Sequence, residues 1–123
     1  MKVLLVDDSS TIRMIQAQAL AKLGFTDIAH ANDGVEALAA VAAAPPGMIM
    51  LDWNMPNMDG ITFLKKYRAN GGQAKVIMVT TEAEKARVIE ALQAGVNNYI
   101  IKPFTPELYA KRIRETLAQK KSA

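Results

Sequence analysis

A chain of 123 residues has room for about one domain, and with half its residues hydrophobic and 22% charged it reads as globular, not disordered, collagenous or coiled-coil. Fifteen basic and twelve acidic side chains leave a net charge of +3; the densest basic cluster, Lys111, Arg112, Arg114, Lys120 and Lys121, is broken by Glu115 and reads as a solvated helix face, so no nucleic-acid partner is expected. The absence of cysteine excludes disulfides, thiolate metal sites and cysteine nucleophiles, and the single histidine, His30, excludes a multi-histidine zinc site and reads as a partly covered strand residue.

The first element is Val3-Leu4-Leu5-Val6, continuously apolar as a strand covered on both faces is, and too short for the core of a signal peptide. Ile12, Ile15, Ala19 and Leu23 follow at helical spacing, and Gly24 stands where a helix needs a left-handed residue to end. Thr26-Asp27-Ile28-Ala29-His30 mixes polar with apolar residues, as an edge strand does. Asp33 and Glu36 have capping-box spacing at the start of a helix with a stripe of Val35, Leu38 and Ala42. The longest apolar run, Ala37 to Ala44, is stopped by Pro45-Pro46-Gly47, too soon to span a membrane.

Met48-Ile49-Met50-Leu51 is the next buried strand, followed by a short helical segment around Ile61, Leu64 and Tyr67. After the strand Val76-Ile77-Met78-Val79, Thr81 and Glu84 are spaced to cap a helix carrying Ile89 and Leu92, which Gly95 ends. Tyr99-Ile100-Ile101 is the last strand. Thr105-Pro106 then starts a helix with a stripe of Tyr109, Ile113 and Leu117. Five strand–helix alternations predict an α/β fold with a parallel sheet and helices on both faces. The expectation is one domain over residues 1–123 with no output domain, cytoplasmic and without membrane contact.

Chemistry gathers at the strand ends. Val6 is followed by Asp7-Asp8, Leu51 by Asp52, Val79 by Thr80 and Ile101 by Lys102. In an open parallel sheet those ends line up along the edge where ligands bind. Taken singly, Asp7-Asp8 and Thr80-Thr81 read as helix caps and Lys102 as a loop lysine; it is their meeting on one edge that points to a site. Two like charges about 4 Å apart repel by roughly 4 kcal/mol at an effective dielectric near 20. Three carboxylates and one ammonium therefore call for a divalent cation, and an all-oxygen set with open water positions favours Mg²⁺. Such a site suits phosphoryl transfer to an aspartate, with Asp52 in the attacking position and Asp7 and Asp8 holding the metal.

Asp7-Asp8, the segment Asp52-Trp53-Asn54-Met55-Pro56-Asn57-Met58-Asp59-Gly60, Thr80, and Tyr99-Ile100-Ile101-Lys102-Pro103-Phe104 together resemble the receiver domain of two-component response regulators, in its stand-alone chemotaxis form. The resemblance runs over the whole chain. It implies a three-layer, doubly wound, flavodoxin-like (βα)5 fold with strand order 2-1-3-4-5. It implies that Asp52 accepts a phosphoryl group from a sensor histidine kinase or its phosphotransfer domain. Mg²⁺ would be ligated by Asp8, Asp52 and the backbone carbonyl of Asn54, with Asp7 acting through water. Lys102, its bond to Pro103 cis, would pair with a phosphoryl oxygen, and Thr80 would donate its hydroxyl to the same group. Phosphorylation would shift Thr80 and Tyr99 and with them the surface of the fourth helix, fifth strand and fifth helix. The product is a monomeric signalling switch, not an enzyme in the ordinary sense, with a downstream protein target such as the flagellar motor switch; a phosphorelay intermediate or a non-motor regulator is the alternative.

Two departures modify this expectation. Thr81 stands where the family usually has a small residue, close enough to hinder the hydrolytic water and lengthen the life of the phosphoryl group. Asn54 and Glu82, which flank phosphoryl access in chemotaxis regulators, are present, but Ala83-Glu84-Lys85 carries an acid where the motor-binding type has a lysine, which weakens a motor partner. Among rivals, a Mg²⁺-dependent aspartyl-phosphate phosphatase of the haloacid-dehalogenase type needs an aspartate where Asn54 stands. A flavodoxin-like electron carrier leaves the convergence of Asp7, Asp8, Asp52 and Lys102 unexplained. A receiver used only for docking would not need all of these groups.

Overall fold

The computed structural model describes residues 1–119, so Lys120 and Lys121 of the basic cluster lie outside the described residues. Five strands alternate with five helices: β1 (Val3–Val6), α1 (Ser10–Lys22), β2 (Ile28–Ala31), α2 (Gly34–Ala43), β3 (Met48–Leu51), α3 (Gly60–Ala69), β4 (Lys75–Thr80), α4 (Lys85–Ala94), β5 (Asn98–Ile101) and α5 (Pro106–Ala118). All strand pairs are parallel, in the order β2-β1-β3-β4-β5. The expected doubly wound, flavodoxin-like architecture is the one observed, with β3 at the centre of the sheet.

Continuous apolar strands are explained by coverage on both faces. Val3 and Leu5 pack with Leu20 of α1 and Tyr109 and Ile113 of α5, whereas Leu4 and Val6 pack with Ala37 of α2, Phe63 and Leu64 of α3 and Ala91 of α4. This sorts α1 and α5 to one layer and α2, α3 and α4 to the other. Each fully buried leucine or isoleucine contributes about 1.5–3 kcal/mol relative to leaving it exposed.

Several stripes are rotated from their expected faces. Ile15, Val35, Ile89 and Leu92 are exposed, Ala42 is exposed, and Leu117 is exposed at the end of α5. On α1 the inward positions are Gln16 and Leu20; Gln16 is buried because its Oε1 accepts from the buried Tyr109 hydroxyl at 2.9 Å. The α2 stripe runs through Gly34, Ala37 and Leu38, and a Cβ on Gly34 would lie 2.7 Å from the Met58 side chain. His30 is exposed, not partly covered; Arg13 Nε donates to its Nδ1 at 3.2 Å.

Helix starts match the sequence at two of four expected caps. Asp33 accepts from Glu36 N and Thr105 from Leu108 N, with Pro106 in the first turn, while Ser9, not Asp7 or Asp8, caps α1 by accepting from Ile12 N. The Thr81–Glu84 pair does not cap α4. That helix begins at Lys85 after Glu84, which makes no side-chain cap bond, so residues 81–84 form a loop at the strand end. Gly24 and Gly95 have φ of +95° and +110° and end α1 and α4 as expected.

Candidate functional site

The strand ladder carries the site residues past the last paired positions. Asp7 N donates to Ala31 O, Asp52 N to Val6 O, and Lys102 N to Thr80 O, which holds each residue at the carboxyl edge. Val6 is in register with Leu51, so Asp7 and Asp52 emerge side by side. Gly60 brings the chain back against this edge: its N donates to Trp53 O, and a Cβ there would lie 2.1 Å from the Asp52 carbonyl. Only glycine fits so close an approach.

Asp7 and Asp52 are buried and Asp8 is exposed, and the three present carboxylate oxygens within 4.8 Å of one another. Lys102 Nζ bridges the buried pair, 2.7 Å from Asp7 Oδ2 and 3.2 Å from Asp52 Oδ2. Each carboxylate has a second anchor: Ser9 N donates to Asp7 Oδ1 at 2.9 Å, and Trp53 N to Asp52 Oδ1 at 2.7 Å. The expected convergence of distant segments is thus a contact. Lys102 is not the loop lysine it could have been, and its bond to Pro103 is cis.

The electrostatics follow from burial. Desolvation raises the Asp52 pKa above the ordinary carboxylate value; Lys102 opposes this and the charge of Asp7 adds to it. Desolvation would lower the Lys102 pKa, but its hydrogen bond to Asp7 and the charges of Asp52 and Asp7 outweigh it and raise the value. The amine therefore stays charged at neutral pH. An all-oxygen cluster of this charge suits a hard cation.

Residues 80–84 form the neighbouring rim. Thr80 is buried, and its Oγ1 accepts from Glu82 N at 3.4 Å. Asn54 Nδ2 donates to Glu82 Oε1 at 2.9 Å across the mouth. The Tyr99 hydroxyl donates to the Glu82 carbonyl at 2.7 Å, and burial, with the charges of Glu82 and Asp52, pushes its pKa up to about 12. Thr81 is exposed beside them. Thr80, Asn54 and Tyr99 thus all converge on Glu82.

Five supporting contacts were not read from the sequence. Asp33, read as a cap only, also accepts from Asn57 Nδ2 at 2.7 Å, and Gly34 N donates to Met58 O at 3.0 Å, which ties the loop after β3 to α2. Asn57 has φ of +67°, a conformation asparagine tolerates; the Asn57-Met58-Asp59-Gly60 run was the available signal for a tight turn. Arg13 donates to the Asp7 carbonyl and to Asn32 Oδ1. The Arg87 guanidinium stands over the Trp53 ring. A cleft of about 900 Å³, lined by Leu38, Val41, Pro46, Tyr67 and Leu117, lies at the opposite edge, before β3 and β4, and includes none of the acidic residues.

Comparison with known proteins agrees with the geometry. Residues 3–114 match the response regulator receiver domain, and the chain belongs to that family. It is of the CheY type: it is 48% identical to chemotaxis protein CheY1 of Helicobacter pylori over 120 residues, covering 95% of this chain and 97% of the relative. It is also 47% identical to the CheY homolog of Campylobacter jejuni, covering 95% and 92%. Among solved structures, Vibrio cholerae CheY4 superposes with a TM-score of 0.86 at 35% identity, covering 94% of this chain and 97% of that one. A chain of the CheX-CheY-BeF3-Mg²⁺ complex of Borrelia burgdorferi superposes with a TM-score of 0.91 at 30% identity, covering 97% and 90%. The protein is accordingly a signalling domain and not a conventional enzyme. Among the described residues no helix is long and apolar enough to cross a membrane.

Proposed function

We propose that the chain is a phosphorylation-activated switch of a chemotaxis two-component system in which Asp52 is the phosphoacceptor. The observation that carries this reading is the Lys102 bridge between Asp7 and Asp52 with Asp8 beside them. Asp8, Asp52 and the Asn54 backbone carbonyl would hold Mg²⁺, with Asp7 acting through water; bound there, the ion offsets charge on the phosphoryl oxygens. A carboxylate oxygen of Asp52 attacks phosphorus in line. The new P–O bond forms as the P–N bond of a phosphohistidine breaks, and the donor imidazole leaves with the electron pair. Lys102, already charged and aimed at Asp52, moves to a phosphoryl oxygen and stabilises the charge that accumulates there. The phosphodonor is a sensor histidine kinase or its phosphotransfer domain.

Readout runs through Glu82. Thr80 has a hydroxyl hydrogen to donate to the phosphoryl group, and its movement alters the Glu82 backbone to which Tyr99 is bonded. Tyr99 belongs to β5, and Ile89 and Leu92 of α4 and Ile101 of β5 are exposed. These apolar side chains give the downstream partner its surface, and the relatives named above favour a chemotaxis partner. The test is to incubate the protein with Mg²⁺ and a small phosphodonor. A base-labile adduct of one phosphoryl group on the native chain, absent from Asp52→Asn, is expected; an adduct that persists in Asp52→Asn refutes Asp52 as acceptor.

Thr81 modulates the reverse reaction. Its branched, exposed side chain stands beside Thr80 and Glu82 at the mouth, where the hydrolytic water must enter. Thr81→Ala is expected to shorten the adduct half-life by about 3–10-fold, equivalent to about 0.7–1.4 kcal/mol of barrier. Following loss of the adduct with time checks this; an equal or longer half-life in Thr81→Ala removes the steric argument.

A further inference from the structure

Arg87 lies in the first turn of α4 and takes no part in the acidic pocket. Its guanidinium carbon stands 5.3 Å from the centroid of the Trp53 ring. Trp53 is buried, directly follows Asp52, and donates its backbone N–H to Asp52 Oδ1. The guanidinium is therefore one residue removed from the phosphoacceptor, through an aromatic face that attracts cations. Its charge also reaches the Tyr99 hydroxyl, where it opposes the upward shift produced by burial and by Glu82 and Asp52.

Little else holds this end of α4. Ala91 is its one fully buried residue, its cap residue Glu84 makes no side-chain bond, and Ile89 and Leu92 face outward. The ion pair of Arg87 with Glu90, 3.4 Å on an exposed face, has little energetic weight. The Arg87–Trp53 contact is a side-chain link between the first turn of α4 and the end of β3. We infer that Arg87 is a positioning residue that couples α4 to the charge carried at Asp52, by way of the Trp53 ring. This rests on the receiver reading and adds to it the route by which one helix of the output face feels the site. A phosphoryl group on Asp52 adds negative charge at the residue next to Trp53. The attraction for the guanidinium strengthens, and the first turn of α4 is held more tightly.

The experiment compares amide hydrogen exchange across residues 85–94 with and without Mg²⁺ and a small phosphodonor, in the native chain, Arg87→Gln and Arg87→Lys, with adduct yield measured in parallel. In the native chain the phosphodonor is expected to slow exchange in the first turn of α4 by about 3–10-fold. Arg87→Gln, which keeps the stem but not the charge, should form the adduct in full and lose the slowing. Arg87→Lys, which keeps a cation over the ring, should restore at least half of it. A full phosphodonor response in Arg87→Gln overturns the coupling and leaves the receiver reading intact. A change in α4 exchange that is equal with and without the phosphodonor overturns it too, since that is what a merely structural contact produces. No adduct on the native chain would remove the receiver reading and this inference together.

Discussion

Alanine in place of Lys102 is expected to slow phosphorylation of Asp52 by about 10²–10³-fold, the usual cost of removing one preorganised donor from the charge that develops in the transition state. The side chain is in position: it is 14% exposed and contacts both buried carboxylates, at 2.7 and 3.2 Å. Its raised pKa means that it is charged across the working range. The stability linked to this shift is present below the ordinary lysine value and is lost only as pH rises through the higher folded value, so the rate defect should be flat from neutral to mildly alkaline pH. Rates of adduct formation measured at saturating Mg²⁺ check the effect. Alanine also leaves Asp7 and Asp52 facing each other, so Lys102→Arg, which keeps the charge but not the geometry, is the companion variant. Native-like rates in Lys102→Ala would contradict the assigned role.

Asparagine at position 52 is expected to stabilise the fold in the absence of divalent cations. Burial raises the Asp52 pKa, with Lys102 opposing and Asp7 reinforcing. A raised folded-state value means that the native form holds the proton more tightly than the unfolded chain. Stability from this group is therefore fully present below the unfolded value near 4, and is lost as pH rises through the folded value. At pH 7 the ionised carboxylate opposes folding, so replacing it should raise Tm. The gain should shrink as pH falls towards 4. Thermal unfolding of both proteins in a chelating buffer, repeated over that pH range, measures it. A lower Tm for Asp52→Asn at pH 7 would show that burial does not strain this group.

Charge at the strand ends was the most legible feature of the sequence. Val6-Asp7, Leu51-Asp52 and Ile101-Lys102 each mark an abrupt change from apolar to ionised, and a parallel sheet leaves one edge for all of them. β1 and β3 were legible to the residue, because strands covered on both faces are apolar throughout. Helix faces were less so. Ile15 is outside and Gln16 inside because a buried tyrosine, 93 positions away in sequence, needs an acceptor, and no local period encodes that requirement. Ile89 and Leu92 read as a core pair by spacing yet are exposed. Thr81 and Glu84 have cap spacing, but residues 81–84 form a loop around Glu82, where Thr80, Asn54 and Tyr99 all converge. The clasp of Asp33 with Asn57 escaped for a similar reason: one carboxylate does two jobs, and its capping role alone satisfied the local pattern.

Trp53, the only tryptophan, directly follows Asp52 and donates its backbone N–H to that carboxylate, so its fluorescence is expected to respond to an ion bound there. Titrating Mg²⁺ while following its fluorescence, in the native chain and in Asp8→Asn, tests whether the acidic cluster is a cation site. Asp8 is exposed, so its replacement leaves the packing of the strand edge untouched. A saturable one-site transition at millimolar Mg²⁺ is expected for the native protein, shifted at least about tenfold to higher concentration in Asp8→Asn. A flat native titration, or identical curves for the two proteins, would contradict the assignment of Asp7, Asp8 and Asp52 to one metal.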